Sequence, residues 1–180
     1  MMSGPAASRV IGRLASAARD RPDAAAAVVL AGVVAVFFWP LFVPGVWMPA
    51  GGGDNVGFLL PLFQAASDVL RSGRLPLWNP YLYCGSPMAA DVQLGLFYPP
   101  NLVMMLLVPR ITHRLLQVLC ALHFWWAALG LYVCARRLRI GAAPIGRPAA
   151  LLGAVAFGLS DVFVTHIGNA NLVAAASWLP

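Results

Sequence analysis

Three uncharged stretches constrain this chain more than anything else in it. Residues 24–47 and 115–134 hold no Asp, Glu, Lys or Arg, and residues 149–167 hold only Asp161 and, near the far end, His166. A helix that crosses a bilayer needs about 20 mostly apolar residues, so each stretch is long enough to span. The whole chain points the same way, with 61% hydrophobic and 10% charged residues. A soluble domain of this size carries about 25% charged residues. The expected fold is all-α: a polytopic membrane protein with three transmembrane helices and a long outer loop bearing short interfacial helices.

The basic residues give the orientation. All twelve are Arg, and the net charge is +6. Arg9, Arg13, Arg19 and Arg21 precede the first apolar stretch, and Arg136, Arg137, Arg139 and Arg147 follow the second. Arg-rich short segments stay on the cytoplasmic side. The expected organisation is then a cytoplasmic segment 1–23, a span 24–47, a large extracytoplasmic loop 48–114, a span 115–134, a cytoplasmic loop 135–148, a span 149–167, and the start of a further outer or membrane segment at 168–180. The apolar run after the basic N-terminus continues through Phe37, Phe38, Trp39, Leu41, Phe42 and Val43 with no Ala-x-Ala site, which reads as an uncleaved signal anchor. The positive charge reports topology and contact with anionic membrane lipids. No basic face interleaved with aromatics is legible, so nucleic acid is not an expected partner. Cys84, Cys120 and Cys134 have no framework spacing and read as small apolar residues.

The outer loop is the informative part. Long ordered loops are more often functional than simple connectors. After Gly51-Gly52-Gly53, residues 56–72 show apolar positions at helical spacing (Phe58, Leu59, Leu62, Phe63, Ala66, Val69, Leu70) and close on Ser72-Gly73. Pro76, Pro80 and Pro87 then exclude a regular helix. That stretch reads as an irregular ordered loop pinned by Trp78, Tyr81 and Tyr83. Residues 101–108 are apolar but too short to span, which suits an interfacial or re-entrant piece. Pro40 and Pro44 are expected to kink or unwind the outer turns of the first span.

Several polar side chains are candidates for chemistry. Asp54 sits just past the first span, where a carboxylate can take a proton from an acceptor hydroxyl or hold a substrate or metal ion. The same position, after three Gly and before a helix, suits an N-cap. Asp91 and Gln93 form a second polar cluster; Asp91 either faces the same pocket or caps a short helix that begins at Val92. Trp78, Asn79 and Tyr81 offer a stacking and hydrogen-bonding surface for a sugar. Arg71 and Arg74 fit the phosphate of a lipid carrier, or else balance Asp68 or lie in solvent. His166 either lines a cavity with Asp54 or is a solvated interfacial His. Asp161 is costly at membrane depth, a default sign of function. The three His residues share no ligand spacing, so no metal site is indicated, although a divalent ion at Asp54 stays open.

With these residues laid out, the chain resembles the YfhO-like family of bacterial membrane proteins, itself similar to the GT-C superfamily of polytopic glycosyltransferases. The resemblance runs from about Gly53 to Pro180. It rests on Gly53-Asp54 with Pro61 downstream, Leu75-Pro76-Leu77-Trp78-Asn79-Pro80-Tyr81, Gly85-x-Pro87, Ala90-Asp91-x-Gln93, Tyr98-Pro-x-Asn101, Ala156-Phe157-x-x-Ser160, His166 and Trp178-Leu-Pro180. It implies that the chain is the front of a larger GT-C-like bundle in the cytoplasmic membrane of a bacterium. It also implies transfer of a sugar from a polyprenyl-phosphate carrier to a cell-envelope acceptor, with Asp54 as general base. Asp91, Gln93 and His166 are then secondary pocket residues. Asp161 after Ser160 and the lack of a Tyr before Pro61 depart from the family's pattern. A non-catalytic membrane module, binding or flipping a lipid carrier or an inactive truncated product, is the alternative.

Overall fold

The computed structural model describes residues 22–46, 48, 49 and 51–180. Arg9, Arg13, Arg19 and Arg21, and with them most of the 1–23 segment, lie outside the described residues. Among those described, the chain is mainly helical, with two minimal hairpins.

Helix α1 (Pro22–Phe37) opens the first apolar stretch. It ends ten residues short of residue 47 and passes into a 3₁₀ turn, Trp39–Phe42. Pro40 is the cause: it has no N–H to continue the ladder, and its ring would strike the carbonyl four residues back. The unwinding expected at the prolines therefore occurs at the first of them.

A π turn (Asn55–Leu59) then leads into α2 (Leu60–Arg71). The Leu60 N–H reaches back five residues to the Asn55 carbonyl. This wider turn gives the Pro61 ring room that a tight α-turn would deny it. Helix α2 stops in a Schellman arrangement: Gly73 has φ +78°, its N–H bonds Leu70 O at 2.9 Å, and the Arg74 N–H bonds Val69 O at 3.3 Å.

The proline-rich stretch contains a hairpin that the residue pattern does not announce. Strand β1 (Trp78–Asn79) pairs antiparallel with β2 (Ser86–Pro87). The Trp78 ring lies so close over Gly85 that a Cβ there would meet it at 2.6 Å. Tyr81 and Tyr83 do not pin this loop; they are 89% and 84% exposed. Helix α3 (Pro99–Leu107) packs against α2, and the buried Ser67 hydroxyl donates to Met105 O at 2.6 Å.

Helix α4 (His113–Arg137) is the long central helix, capped by Thr112, whose hydroxyl accepts the Leu115 N–H. A hairpin of β3 (Arg139–Ile140) and β4 (Ala143–Pro144) turns the chain into α5 (Arg147–Gly158). After a break at Leu159-Ser160 come α6 (Asp161–Val164) and α7 (Ala170–Ala176). Gly158 lets α5 press against α4, since a Cβ there would lie 2.8 Å from the Ala128 methyl. Ala26, Ala128, Ala150 and Ala154 continue this small-residue contact among α1, α4 and α5, the device membrane helices use to approach closely. Toward the loop side, Phe37, Phe38, Phe124 and Phe163 form a chain of ring contacts 5.0–5.9 Å apart.

Two helical stretches are long and apolar enough to cross a membrane, His113–Arg137 and Arg147–Val164. Only 33% and 22% of their most apolar windows are buried within the chain. A core helix of a water-soluble domain would be covered by its own protein; these present their apolar sides outward.

At the Arg-rich end the three helices meet at one carboxylate. Asp23 Oδ1 accepts the Tyr132 hydroxyl at 2.7 Å and lies 3.4 Å from Arg147 Nε and 3.9 Å from Arg136 Nε. The Tyr132 hydrogen bond, then the Arg147 guanidinium, holds the Asp23 carboxyl below its ordinary value.

Candidate functional site

Asp54 stands at the entry to the π turn, with its side chain exposed. It makes no capping hydrogen bond. The N-cap reading therefore does not describe this carboxylate. Its partner comes from the far end of the chain: Asn169 Nδ2 donates to Asp54 Oδ2 at 3.0 Å. The other end of the same amide fixes which way it points. Asn169 Oδ1 accepts the Leu172 N–H as the cap of α7, so the NH₂ group is left to donate to the carboxylate. Among the described residues no hydrogen bond occupies Oδ1 of Asp54.

The backbone around Asp54 is held against the 166–169 loop by its neighbours. Asn55 is fully buried. Its Nδ2 donates to Ile167 O at 3.0 Å, its Oδ1 accepts the Ala170 N–H at 2.8 Å, and its backbone N–H donates to Gly168 O at 2.8 Å. Gly53, at φ +56°, lies so near Gly168 that a Cβ would sit 3.1 Å from its Cα and carbonyl oxygen. Two glycines and two asparagines thus seam the start of the outer loop to the end of the third apolar stretch.

His166 belongs to that same loop and is exposed. Its Nδ1 lies 2.9 Å from Val162 O and 3.1 Å from Thr165 Oγ1. A carbonyl only accepts, so Nδ1 donates to it. The His166 carbonyl in turn accepts the Asn169 N–H at 2.8 Å. His166 and the partner of Asp54 are therefore parts of one short turn.

The remaining candidates form separate groups. Asp91 Oδ1 accepts the Gln93 N–H at 2.8 Å, which closes a turn; the Gln93 side chain is exposed, and no hydrogen bond joins either residue to Asp54. Asn79 is buried, and its Oδ1 accepts the Tyr81 N–H at 3.0 Å. With Phe58 and Pro61, Asn79 and Tyr81 line a notch of about 190 Å³ between the hairpin and the helix that follows Asp54. Trp78 stays outside it. Arg71 and Arg74 are exposed at the end of α2, and Arg74 Nε donates to Ser72 Oγ at 3.1 Å. Neither Arg balances Asp68, which accepts a hydrogen bond from Gln64 instead. Asp161 is exposed at the first turn of α6. Among the described residues no group of three His, Cys, Asp or Glu gathers where a metal ion could sit.

Two of the quoted sequence strings serve packing. The Asn101 amide donates to Leu94 O at 3.2 Å and holds the turn before α3. Tyr98 joins two Trp- and His-bearing elements: Trp178 Nε1 donates to its hydroxyl at 3.1 Å, and the hydroxyl lies 2.7 Å from His123 Nε2. His123 Nδ1 lies 2.7 Å from Leu119 O and so carries the proton, which makes Nε2 the acceptor of the Tyr98 O–H.

Asn55 and Asn169 are the site residues that sequence reasoning passes over. Asn169 carried a signal, since an Asn before an Ala- and Leu-containing run is a helix cap. Asn55 carried none. Compared with protein-family models, curated proteins and solved structures, the chain finds no match.

Proposed function

We propose that this chain is the N-terminal part of a membrane glycosyltransferase of the GT-C kind, transferring a sugar from a polyprenyl-phosphate carrier to an acceptor on the extracytoplasmic side of a bacterial inner membrane. Asp54 acts as general base on the acceptor hydroxyl. The observation that carries the reading is the exposed Asp54 carboxylate, held by Asn169 through Oδ2 with Oδ1 open. The Asn169 contact orients the carboxylate, and an oxygen without a hydrogen-bond partner can reach the proton of an acceptor hydroxyl. His166, in the turn that supplies Asn169, and Asn79 and Tyr81, in the notch beside the following helix, are the polar groups assigned to an acceptor or donor site. Asp91, Gln93 and Trp78 belong to a second rank.

This topology needs a third span beside the two long apolar stretches, and in this reading α1 and its 3₁₀ extension supply it. Sixteen residues of α-helix rise about 24 Å, and four of 3₁₀ add about 8 Å. Together they match a hydrocarbon core of about 30 Å. The N-terminus and the Asp23–Arg136–Arg147 cluster then face the cytoplasm, and Asp54 faces outward.

The test is sugar transfer by membranes carrying the intact protein, supplied with a labelled polyprenyl-phosphate sugar and envelope acceptor. Asp54→Asn keeps the Asn169 contact but cannot take a proton, and product formation falls by about 10²-fold or more. Unchanged product in that variant sinks the catalytic reading and leaves a non-catalytic carrier-binding module.

A further inference from the structure

Arg114 stands in the first turn of α4, at the end that faces outward in the proposed topology. It lines a trough of about 710 Å³ between α1 and α4. Apart from this one cation the trough is walled by apolar side chains, from Phe42 down to Ala31 on one side and from Val118 down to Trp125 on the other. One guanidinium N–H is used, donating to Val43 O at 3.2 Å. No carboxylate among the described residues lies within ion-pairing distance of it. Arg carries five N–H donors in all, so most of its capacity is open to a ligand.

We infer that this trough holds one acyl chain of an anionic glycerophospholipid from the outer leaflet, with the phosphate at Arg114. Charge complementarity picks an anionic head group, and length picks the tail. Eleven residues of α-helix separate Arg114 from Trp125, a rise of about 16 Å. That is close to half the hydrocarbon thickness of about 30 Å, the depth of a single leaflet. A polyprenyl chain is far longer and would overrun the trough. The inference rests on α4 crossing the membrane and is independent of sugar transfer.

The test is native mass spectrometry of the intact purified protein, released from detergent with equimolar phosphatidylglycerol and phosphatidylcholine of identical chains. Phosphatidylglycerol is retained about fivefold over phosphatidylcholine, as expected of one Arg at a membrane surface. Arg114→Gln removes the preference, whereas Arg110→Gln, outside the trough, keeps it. Ala35→Phe fills the trough from an exposed position on α1 and lowers retention of both lipids. Equal retention of the two lipids by the wild type overturns the inference, as does a preference that survives Arg114→Gln. Displacement of phosphatidylglycerol by a lower concentration of polyprenyl monophosphate also overturns it, and reassigns the trough to a carrier lipid.

Discussion

Asn55 reaches across the whole outer loop to Ala170: its Oδ1 accepts the Ala170 backbone N–H at 2.8 Å in a fully buried setting. The other end of the same amide holds Ile167 O. This residue, beside the candidate base, closes the outer loop onto the third apolar stretch. Asn55→Ala leaves the buried Ala170 N–H without its partner and the Ile167 carbonyl with only the long contact from the Cys120 thiol. The expected cost is about 2–4 kcal/mol in thermal or denaturant unfolding of the purified protein. Asn55→Asp keeps the acceptor but loses the donor and buries a charge, so it destabilises more than Asn55→Ala.

Gly53 and Gly51 separate two effects that glycine combines. Both have positive φ, but only Gly53 lies against another backbone. Gly51→Ala costs only the left-handed conformation, about 1 kcal/mol. Gly53→Ala adds a collision with Gly168 and costs about 2–3 kcal/mol. Melting the two variants side by side checks the seam, and equal losses would contradict it.

Tyr98 is the hinge pin between the Trp178 indole and the His123 ring. Tyr98→Phe keeps the aromatic body and leaves the buried His123 Nε2 without its donor, for a loss of about 1–2 kcal/mol. Trp178→Phe removes a donor only and costs less. Thermal unfolding of Tyr98→Phe and Trp178→Phe beside wild type checks this order, and a larger loss in Trp178→Phe would contradict it.

The Asp23 cluster gives a pH dependence with a definite sign. The carboxyl is held below its ordinary value by Tyr132 first and Arg147 next. Its contribution is therefore complete above the unfolded-state value, about 4, and is lost as the pH falls through the lower folded value. Asp23→Asn destabilises the protein at pH 7, and the gap to wild type closes as the pH drops below about 4. A gap that widens on acidification would contradict the arrangement. The effect is small, because the group is exposed to solvent.

Much of the scaffold was legible in composition and spacing. The uncharged stretches marked α4 and α5, the apolar spacing marked α2, and Ser72-Gly73 marked its end. Local chemistry of this sort is written in adjacent residues. The shortening of the first helix at Phe37 was half legible, since Pro40 named the cause but not which of two prolines would act. The Trp78–Pro87 hairpin was hidden because prolines in a strand pattern argue against pairing, and only two residues on each side pair. The seam at Asn55 was not legible at all. Its partners lie 112 and 115 residues away, and no local pattern distinguishes a buried asparagine from a turn asparagine. The same distance explains why Asp54 looked like a cap: its actual partner, Asn169, is known only once the chain is folded.

The most direct measurement concerns the side of the membrane on which the outer loop lies. Cys84 is exposed in that loop, Cys120 is buried and Cys134 is partly covered at the other end of α4. Intact cells are treated with a membrane-impermeant maleimide, with Cys84→Ser as the control. Labelling of wild type without permeabilisation, abolished in Cys84→Ser, is the outcome expected if the Asp54 face is extracytoplasmic. Labelling of Cys84 only after the membrane is opened would place that face in the cytoplasm and contradict the proposed site of sugar transfer.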